Sequence, residues 1–271
     1  MKKAILIFVI IISLLYFLPV FFTFSSSFMN VQQLYADGVR ILPDEFSLQQ
    51  YYSIVLYKGE YFKFYINSIV LTISIIIGQI VVGVFAAFAL AKLKFPGRNF
   101  IFAVYVLVLL LPFQVVSVPN YLVFDKMEKM LSLKIFDTYW AIILPGIFST
   151  LGIFLLRQFI VNIPNEIIEA ARIDGASYTK IFFTIVLPLV RPAIISLIFL
   201  SFIDNWNLVE QAVIFIETPS KQPLSVFLET VYFQDYSVFY AASILYIIPA
   251  VFLLLKGEKY LQEGILMGGI K

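Results

Sequence analysis

Apolar runs long enough to cross a bilayer constrain this chain more than any other feature. From Ala4 to Phe24, and again from Tyr65 to Ala91, no charged side chain interrupts the sequence. A spanning helix needs roughly 20 mostly apolar residues, because the hydrocarbon core is ~30 Å thick and an α-helix rises ~1.5 Å per residue. Four further runs meet that length: Phe100–Val123, Tyr139–Phe159, Ile181–Ile203 and Phe239–Leu255. The last two contain Pro188, Pro192 and Pro249, which a membrane helix tolerates where neighbours or water satisfy the freed carbonyls. Six spans are predicted. With 61% hydrophobic and only 13% charged residues, and a mean hydropathy of +0.95, the chain lacks the polar surface of a soluble domain. The expected fold class is an all-α integral membrane protein.

Composition also excludes chemistry. There is no cysteine and no histidine, so disulfides, thiolates and the commonest general base and metal ligand are absent. No phosphate-binding G-x-x-x-x-G-K-[ST] sequence occurs, so the chain itself is not expected to hydrolyse ATP. A net charge of +2 with no basic cluster gives no reason to expect nucleic-acid binding. The opening "MKKAILIFVIIISLLYFLPVFF" imitates a secretory signal. Its apolar run is longer than a signal core and no A-x-A site follows, so it reads as a retained first span.

Orientation follows from the positive-inside rule. Lys2 and Lys3 precede the first span, Lys92, Lys94 and Arg98 the third, and Arg157, Arg172 and Lys180 occupy the fourth-to-fifth connection. Lys256, Lys259 and Lys271 fill the tail. The last outer loop carries Glu210, Glu217, Glu229 and Asp235 against Lys221, and Lys126, Lys129 and Lys134 form an exception diluted by Asp125, Glu128 and Asp137. Both termini are therefore expected in the cytoplasm of a multi-pass protein of the cytoplasmic (inner) membrane. Trp140 and Trp206 fall near predicted outer span ends, where tryptophan favours the wet-apolar boundary. With no repeat and no composition break, residues 1–271 read as one domain, with a transmembrane core of about 65–255.

A polar stretch, "VNIPNEIIEAARIDGASYTK", interrupts this chain between the fourth and fifth spans. Pro164 suits a first helical position, and Glu166 and Glu169 sit where the helix dipole favours acids. Ile163, Ile167, Ala170, Ala171 and Asp174 share one side, with Glu166, Glu169 and Arg172 on another. Gly175 is placed to end the helix left-handed, and Ser177 to cap the next. The helix lacks the lysine-rich face and bulky anchors of a membrane-surface helix. Its alanines allow close approach, which points to a docking helix for a cytoplasmic partner.

The spacing Glu169-Ala170-Ala171, three residues, Gly175, nine residues, then Ile185-x-Leu187-Pro188 resembles the EAA loop of ABC-importer permease subunits. The stretches "EAARIDGAS" and "LPLVRPA", with "INSIVLT", "FAAFALAKLKFPGR", "LPFQVVSVPNYLVF", "DNWN" and "LQEGILMGGIK", are similar to the carbohydrate-uptake branch, the maltose and multiple-sugar type, and to its shorter six-helix permease. The resemblance covers nearly the whole chain. Lys256-Gly257 departs from it, where the family is more apolar, and so leaves the register of the last helix end open.

That resemblance implies a type I importer permease fold, with a coupling helix inside an EAA loop of 162–192. Glu169 would face a basic residue of an ATPase subunit, Ala170 and Ala171 would allow close packing, Gly175 would permit the corner, and Asp174 would join them as an ATPase-coupling residue. It further implies two ATPase domains, a second homologous permease and an extracytoplasmic sugar-binding protein as partners, with no cofactor and no catalytic or metal residues. The carried solute would be an oligosaccharide or sugar derivative. A non-sugar solute such as glycerol phosphate is the alternative.

Sugars are read by hydrogen bonds and stacking, so Gln79, Gln114, Tyr105 and Trp206 are candidate pathway-lining residues, although buried amides also serve as glue between helices. Gly264 and Gly268 form a G-x-x-x-G outside any apolar 20-mer, which fits a tail better than a packing motif. An ion-coupled secondary transporter would need acids within its spans, and often internal repeats. A membrane enzyme would need a catalytic constellation. The sequence offers neither.

Overall fold

The computed structural model describes residues 2–36, 40–56, 59–234 and 236–269. Asp235 and Lys271, counted above in the charge argument, lie outside the described residues, as do the side chains of Lys2 and Lys259. Helices follow one another in the order α1 (Lys2–Ser26), α2 (Val31–Tyr35), α3 (Gln49–Leu56), α4 (Glu60–Lys92), α5 (Arg98–Leu109), α6 (Phe113–Leu131), α7 (Trp140–Ile147), α8 (Thr150–Val161) and α9 (Asn165–Ile173). After a tight corner come α10 (Tyr178–Ile181), a π-helical turn (Phe182–Val186), α11 (Leu187–Leu189), α12 (Arg191–Trp206), α13 (Glu210–Phe215), α14 (Leu224–Gln234) and α15 (Tyr236–Gly269).

The central mast is α4, whose 33 residues reach ~50 Å. Its buried positions Phe64, Asn67, Ser68, Leu71, Thr72, Ile75, Gln79, Val84 and Ala87 recur at helical spacing and pack against α7, α8, α12 and α14. Small and hydroxyl side chains on that face let helices approach closely and bond across, as membrane packing requires. At one end a core of Val84, Phe88, Leu156, Ile160, Ile168, Ile181, Phe182 and Leu197 joins α4, α8, α9, α10 and α12. Toward the other end Leu71, Ile75, Phe124, Ile142, Leu208 and Phe215 form a second core.

Among the described residues four helical stretches are long and apolar enough to cross a membrane: Ile5–Ser26, Glu60–Lys92, Trp140–Val161 and Val238–Gly257. The count reaches six when each of two bent pairs is taken as one span. The predicted third span, Phe100–Val123, is not continuous. Its arms α5 and α6 bend by 110°, because Pro112 sits in extended backbone ahead of α6 and the residue before a proline is pushed out of the α region. The predicted fifth span, Ile181–Ile203, bends by 69° between Leu189 and Arg191. Pro249, by contrast, stays inside α15 without breaking it.

Two placements differ from the sequence reading. Arg157 belongs to α8 rather than to the connection after it, with its guanidinium 3.7 Å over the Phe102 ring. Trp206 is only 2% exposed. It is held by rings of Phe202 and Tyr246, and its indole N–H donates to the Tyr246 carbonyl at 3.1 Å, so packing rather than the membrane boundary fixes it. Trp140 is 59% exposed at the start of α7, in keeping with a boundary position.

At the end opposite α9 a polar knot ties two loops together. Asp137, in left-handed backbone, accepts from the Lys221 ammonium at 2.6 Å, the Thr218 N–H at 2.9 Å and the Thr218 hydroxyl at 2.8 Å. These bonds, the Lys221 bond first, hold its carboxyl well below the usual carboxylate range. The lysines that broke the charge pattern are partly paired here: Lys129 meets Asp125 at 2.7 Å and Lys134 lies 3.9 Å from Asp137.

Candidate functional site: the exposed corner helix

The polar stretch between α8 and α12 folds as a short helix and a closed corner. Pro164 is the N-cap rather than the first helical residue, so α9 starts at Asn165. Its C-terminus carries both bonds of a Schellman cap: the Ala176 N–H reaches the Ala171 carbonyl at 2.9 Å, and the Gly175 N–H reaches that of Arg172 at 3.0 Å. Gly175 has φ +81°, the left-handed conformation that glycine adopts without steric cost. Two residues on, the Ser177 hydroxyl accepts from the Lys180 N–H at 3.3 Å and starts α10. The Arg172 guanidinium lies 4.3 Å over the Tyr178 ring and braces the two helices.

The corner is fastened to the bundle at three points. Ile168, 6% exposed, is the buried residue of α9 and joins the core with Ile181 and Phe182. Phe182, in the π turn, stacks on Phe85 of α4 at 4.6 Å. Lys92, the last residue of α4, donates to the Ile163 carbonyl at 2.5 Å and to Asn165 Oδ1 at 2.8 Å. It also reaches the Val161 carbonyl at 3.4 Å, one of those left open at the end of α8.

The opposite face of α9 is bare. Glu166, Glu169, Ala170 and Asp174 are exposed, and Ile173 is 86% exposed. A large apolar side chain at the end of a mainly acidic exposed face, with Ile167 42% exposed beside it, on a helix held from behind, is an arrangement suited to receiving another surface. Four of the five residues read as coupling residues (Glu169, Ala170, Asp174 and Gly175) lie on this outer side or its corner, and Ala171 packs partly against the core. Sequence reasoning missed Ile168 as the anchor and Ile173 as the exposed apolar centre.

The four candidate pathway residues do not converge. Gln79 is 7% exposed and clamped between helices, its amide donating to the Gly146 carbonyl at 2.8 Å and accepting from the Ser201 hydroxyl. Trp206 is buried as described. Both amide and indole are thus spent on packing within the chain. Gln114 is exposed at the α5–α6 break and donates to both carboxylate oxygens of Glu210 at 2.9 Å. Tyr105 is half-buried on α5. Among the described residues no group of histidine, cysteine or acidic side chains could hold a metal ion.

Comparison with known proteins places this geometry. Residues 79–261 match the family described as "Binding-protein-dependent transport system inner membrane component". The arabinooligosaccharides transport system permease protein AraQ of Halalkalibacterium halodurans is 29% identical over 91% of this chain and 88% of its own. The AraQ protein of Bacillus subtilis is 28% identical over 100% and 96%. The sn-glycerol-3-phosphate transport system permease protein UgpE of Escherichia coli O157:H7 is 32% identical over 70% and 67%. A chain in the crystal structure of a bacterial ABC transporter that imports the acidic polysaccharide alginate superposes with a TM-score of 0.81 at 23% identity, covering 96% of this chain and 95% of that one, and so shares the fold. The chain belongs to the binding-protein-dependent transport system inner membrane components, the membrane-embedded permease subunits of ABC importers.

Proposed function

We propose that this chain forms half of a carbohydrate pathway across the cytoplasmic membrane, powered by ATP hydrolysis in separate subunits. The observation that carries the reading is α9: an exposed face of Glu166, Glu169, Ala170 and Ile173 on a helix locked by a glycine corner and Ile168. In this reading an ATPase domain grips that face, with Glu169 paired to a basic residue of the ATPase. Movement of the ATPases passes through the corner into α10–α12. A second permease supplies the other half of the pathway, two ATPase domains bind below, and an extracytoplasmic binding protein delivers the sugar. Both termini and α9 face the cytoplasm, and residues 1–271 act as one permease domain.

The sugar assignment rests on the AraQ relatives, which cover nearly the whole chain. The UgpE relatives favour glycerol phosphate as the second reading. If Gln114 lines the pathway, its partner Glu210 favours the neutral solute: the carboxylate would repel a phosphate dianion, while amide and carboxylate together suit hydroxyl groups. Gln114 and Tyr105 stay as lining candidates on this reading, and Gln79 and Trp206 become supports behind the lining. The test is uptake by the reconstituted importer. Glu169→Lys and Gly175→Pro are expected to abolish transport while the protein remains in the membrane, and normal transport by either would overturn the docking role of α9. Competition between an arabinooligosaccharide and sn-glycerol 3-phosphate decides the solute class.

A further inference from the structure

The exposed face of α12 differs from that of its neighbour α4. Between Ile66 and Phe85 every exposed residue of α4 is apolar, as a surface turned to lipid should be. Helix α12 packs against α4, α8 and α15, and its last turn runs past the predicted span end at Ile203 to carry Asp204. Asp204 is exposed, and so is Asn207 just beyond the helix. Among the described residues the Asp204 carboxylate accepts no hydrogen bond and joins no ion pair. From the stretch "DNWN" the sequence reading chose Trp206, which is buried; Asp204 is the residue left open.

The residues around it are satisfied within the chain. Trp206 is anchored to Tyr246. Asn205 donates through Nδ2 to the Ser201 carbonyl at 2.7 Å, and its own carbonyl accepts from the Thr72 hydroxyl at 3.3 Å. The carboxylate is thus displayed from a fixed helix end with both oxygens free. Asn207 has committed Oδ1 to the Tyr246 hydroxyl at 2.8 Å and one N–H to the Ile203 carbonyl at 2.7 Å, which leaves its second N–H open. Residues three apart on a helix lie side by side, so this face offers a free acceptor beside a free donor. That pairing decides what suits it. Hydrocarbon uses neither group, and an acid in a spanning helix is costly unless it faces water or the bundle interior. A cation of a partner protein uses the acceptor alone. A sugar, whose hydroxyls both donate and accept, uses the two together.

We propose that Asp204 stands in the water-filled pathway between the two permeases and accepts hydrogen bonds from hydroxyl groups of the passing sugar, with Asn207 donating beside it. The negative charge repels a phosphate, so the same residue selects for the neutral solute. The proposal rests on the uptake reading above for its solute, and the test separates the two.

The test uses the unmodified importer complex in proteoliposomes, treated on both sides with a water-soluble carbodiimide and glycine ethyl ester. Modified carboxylates are read on this chain's peptides by mass spectrometry. Asp204 is expected to be modified, and an arabinooligosaccharide delivered by the binding protein should slow its modification several-fold while leaving that of the exposed Glu217 unchanged. Modification only by dicyclohexylcarbodiimide, which partitions into lipid, would place Asp204 in hydrocarbon, and modification by neither reagent would seal it against the second permease. Either result overturns the proposal, as does modification that the sugar does not slow. Asp204→Leu should assemble and keep ATPase activity yet lower uptake per ATP hydrolysed several-fold, with Asp204→Asn, which keeps an acceptor, falling between; uptake by Asp204→Leu equal to wild type would also overturn it. An unlabelled Asp204 in a complex that takes up sugar leaves the uptake reading standing. Protection by sn-glycerol 3-phosphate in place of the sugar overturns the hydroxyl contact and the sugar reading together, while Asp204 keeps its place in water.

Discussion

At Gly175 the backbone is left-handed, φ +81°, and nothing lies within 4 Å of where a Cβ would project. A substitution there therefore meets backbone strain alone. Gly175→Ala is expected to fold yet weaken the corner by ~1–2 kcal/mol, with Gly175→Asn milder because asparagine tolerates this region. Uptake and thermal unfolding should rank glycine, asparagine, alanine. Gly257 poses the opposite problem: an added Cβ would fall 1.4 Å from Cζ of Phe199, so the ring packs directly on the α15 backbone. Gly257→Leu should force α12 and α15 apart and lower the melting temperature, and Phe199→Ala should restore part of the loss by making room. That contact accounts for the glycine of the Lys256-Gly257 departure. Asp137 carries a pH prediction. Its carboxyl is held low by Lys221 and Thr218, so its contribution is complete above the ordinary carboxylate pKa of ~3.9 and is lost only as pH falls toward the depressed value. Unfolding of purified protein between pH 7 and pH 4 should show a wild-type advantage over Asp137→Asn that persists to the acid end. Gly175 and Ser177 were legible because their backbone roles demand particular residue types. Ile168 was not, because Ile163 precedes the helix and a phase counted from it is wrong. Gln79 and Trp206 could not be assigned between pathway and packing for a different reason: a sequence does not tell which faces of a bundle meet each other.

Among the elements, the bends matter more than the spans. Hydrophobic length alone identified six apolar runs, and all six are helical. It could not reveal that two of them turn sharply, since hydropathy carries no direction. The fifth is the important one. Pro188 and Pro192 lack the N–H groups that would bond the carbonyls of Thr184 and Pro188, and the axis swings 69° at Val190 between Leu189 and Arg191. The predicted fifth span is therefore an elbow, with α10, the π turn and α11 as its short arm and α12 as its long arm. The short arm is gripped through Phe182 by Phe85 and Phe88. Replacing both prolines, Pro188→Ala with Pro192→Ala, should straighten this element and swing α9 out of line. The expected outcome is ATPase activity retained in the complex with uptake reduced several-fold. Equal loss of both activities would point instead to misassembly.

For the molecule as a whole, the distribution of burial is lopsided. The bundle is well packed around α4, yet α1 is almost bare, α4 keeps an outward apolar stripe from Phe62 to Phe85, and Ile173 on the polar corner is 86% exposed. In a bilayer the first two can face lipid at no cost. Ile173 does not share that setting, because α9 is too short and too polar to cross hydrocarbon. On the proposed reading an ATPase domain covers it, so orientation and assembly can be probed together at this helix. The absence of cysteine in the chain makes this testable without background thiols. A single Ala170→Cys should react with a membrane-impermeant maleimide only when the cytoplasmic face is opened, and should be shielded when the ATPase subunits are bound. A single Glu217→Cys, on the loop beside the Asp137–Lys221 knot, should react from outside in intact cells. Labelling of Ala170→Cys from outside would reverse the topology and remove the docking helix from the side where ATP is hydrolysed. Labelling from the cytoplasm with no shielding by the ATPase would keep the orientation and leave Ile173 to some other protein.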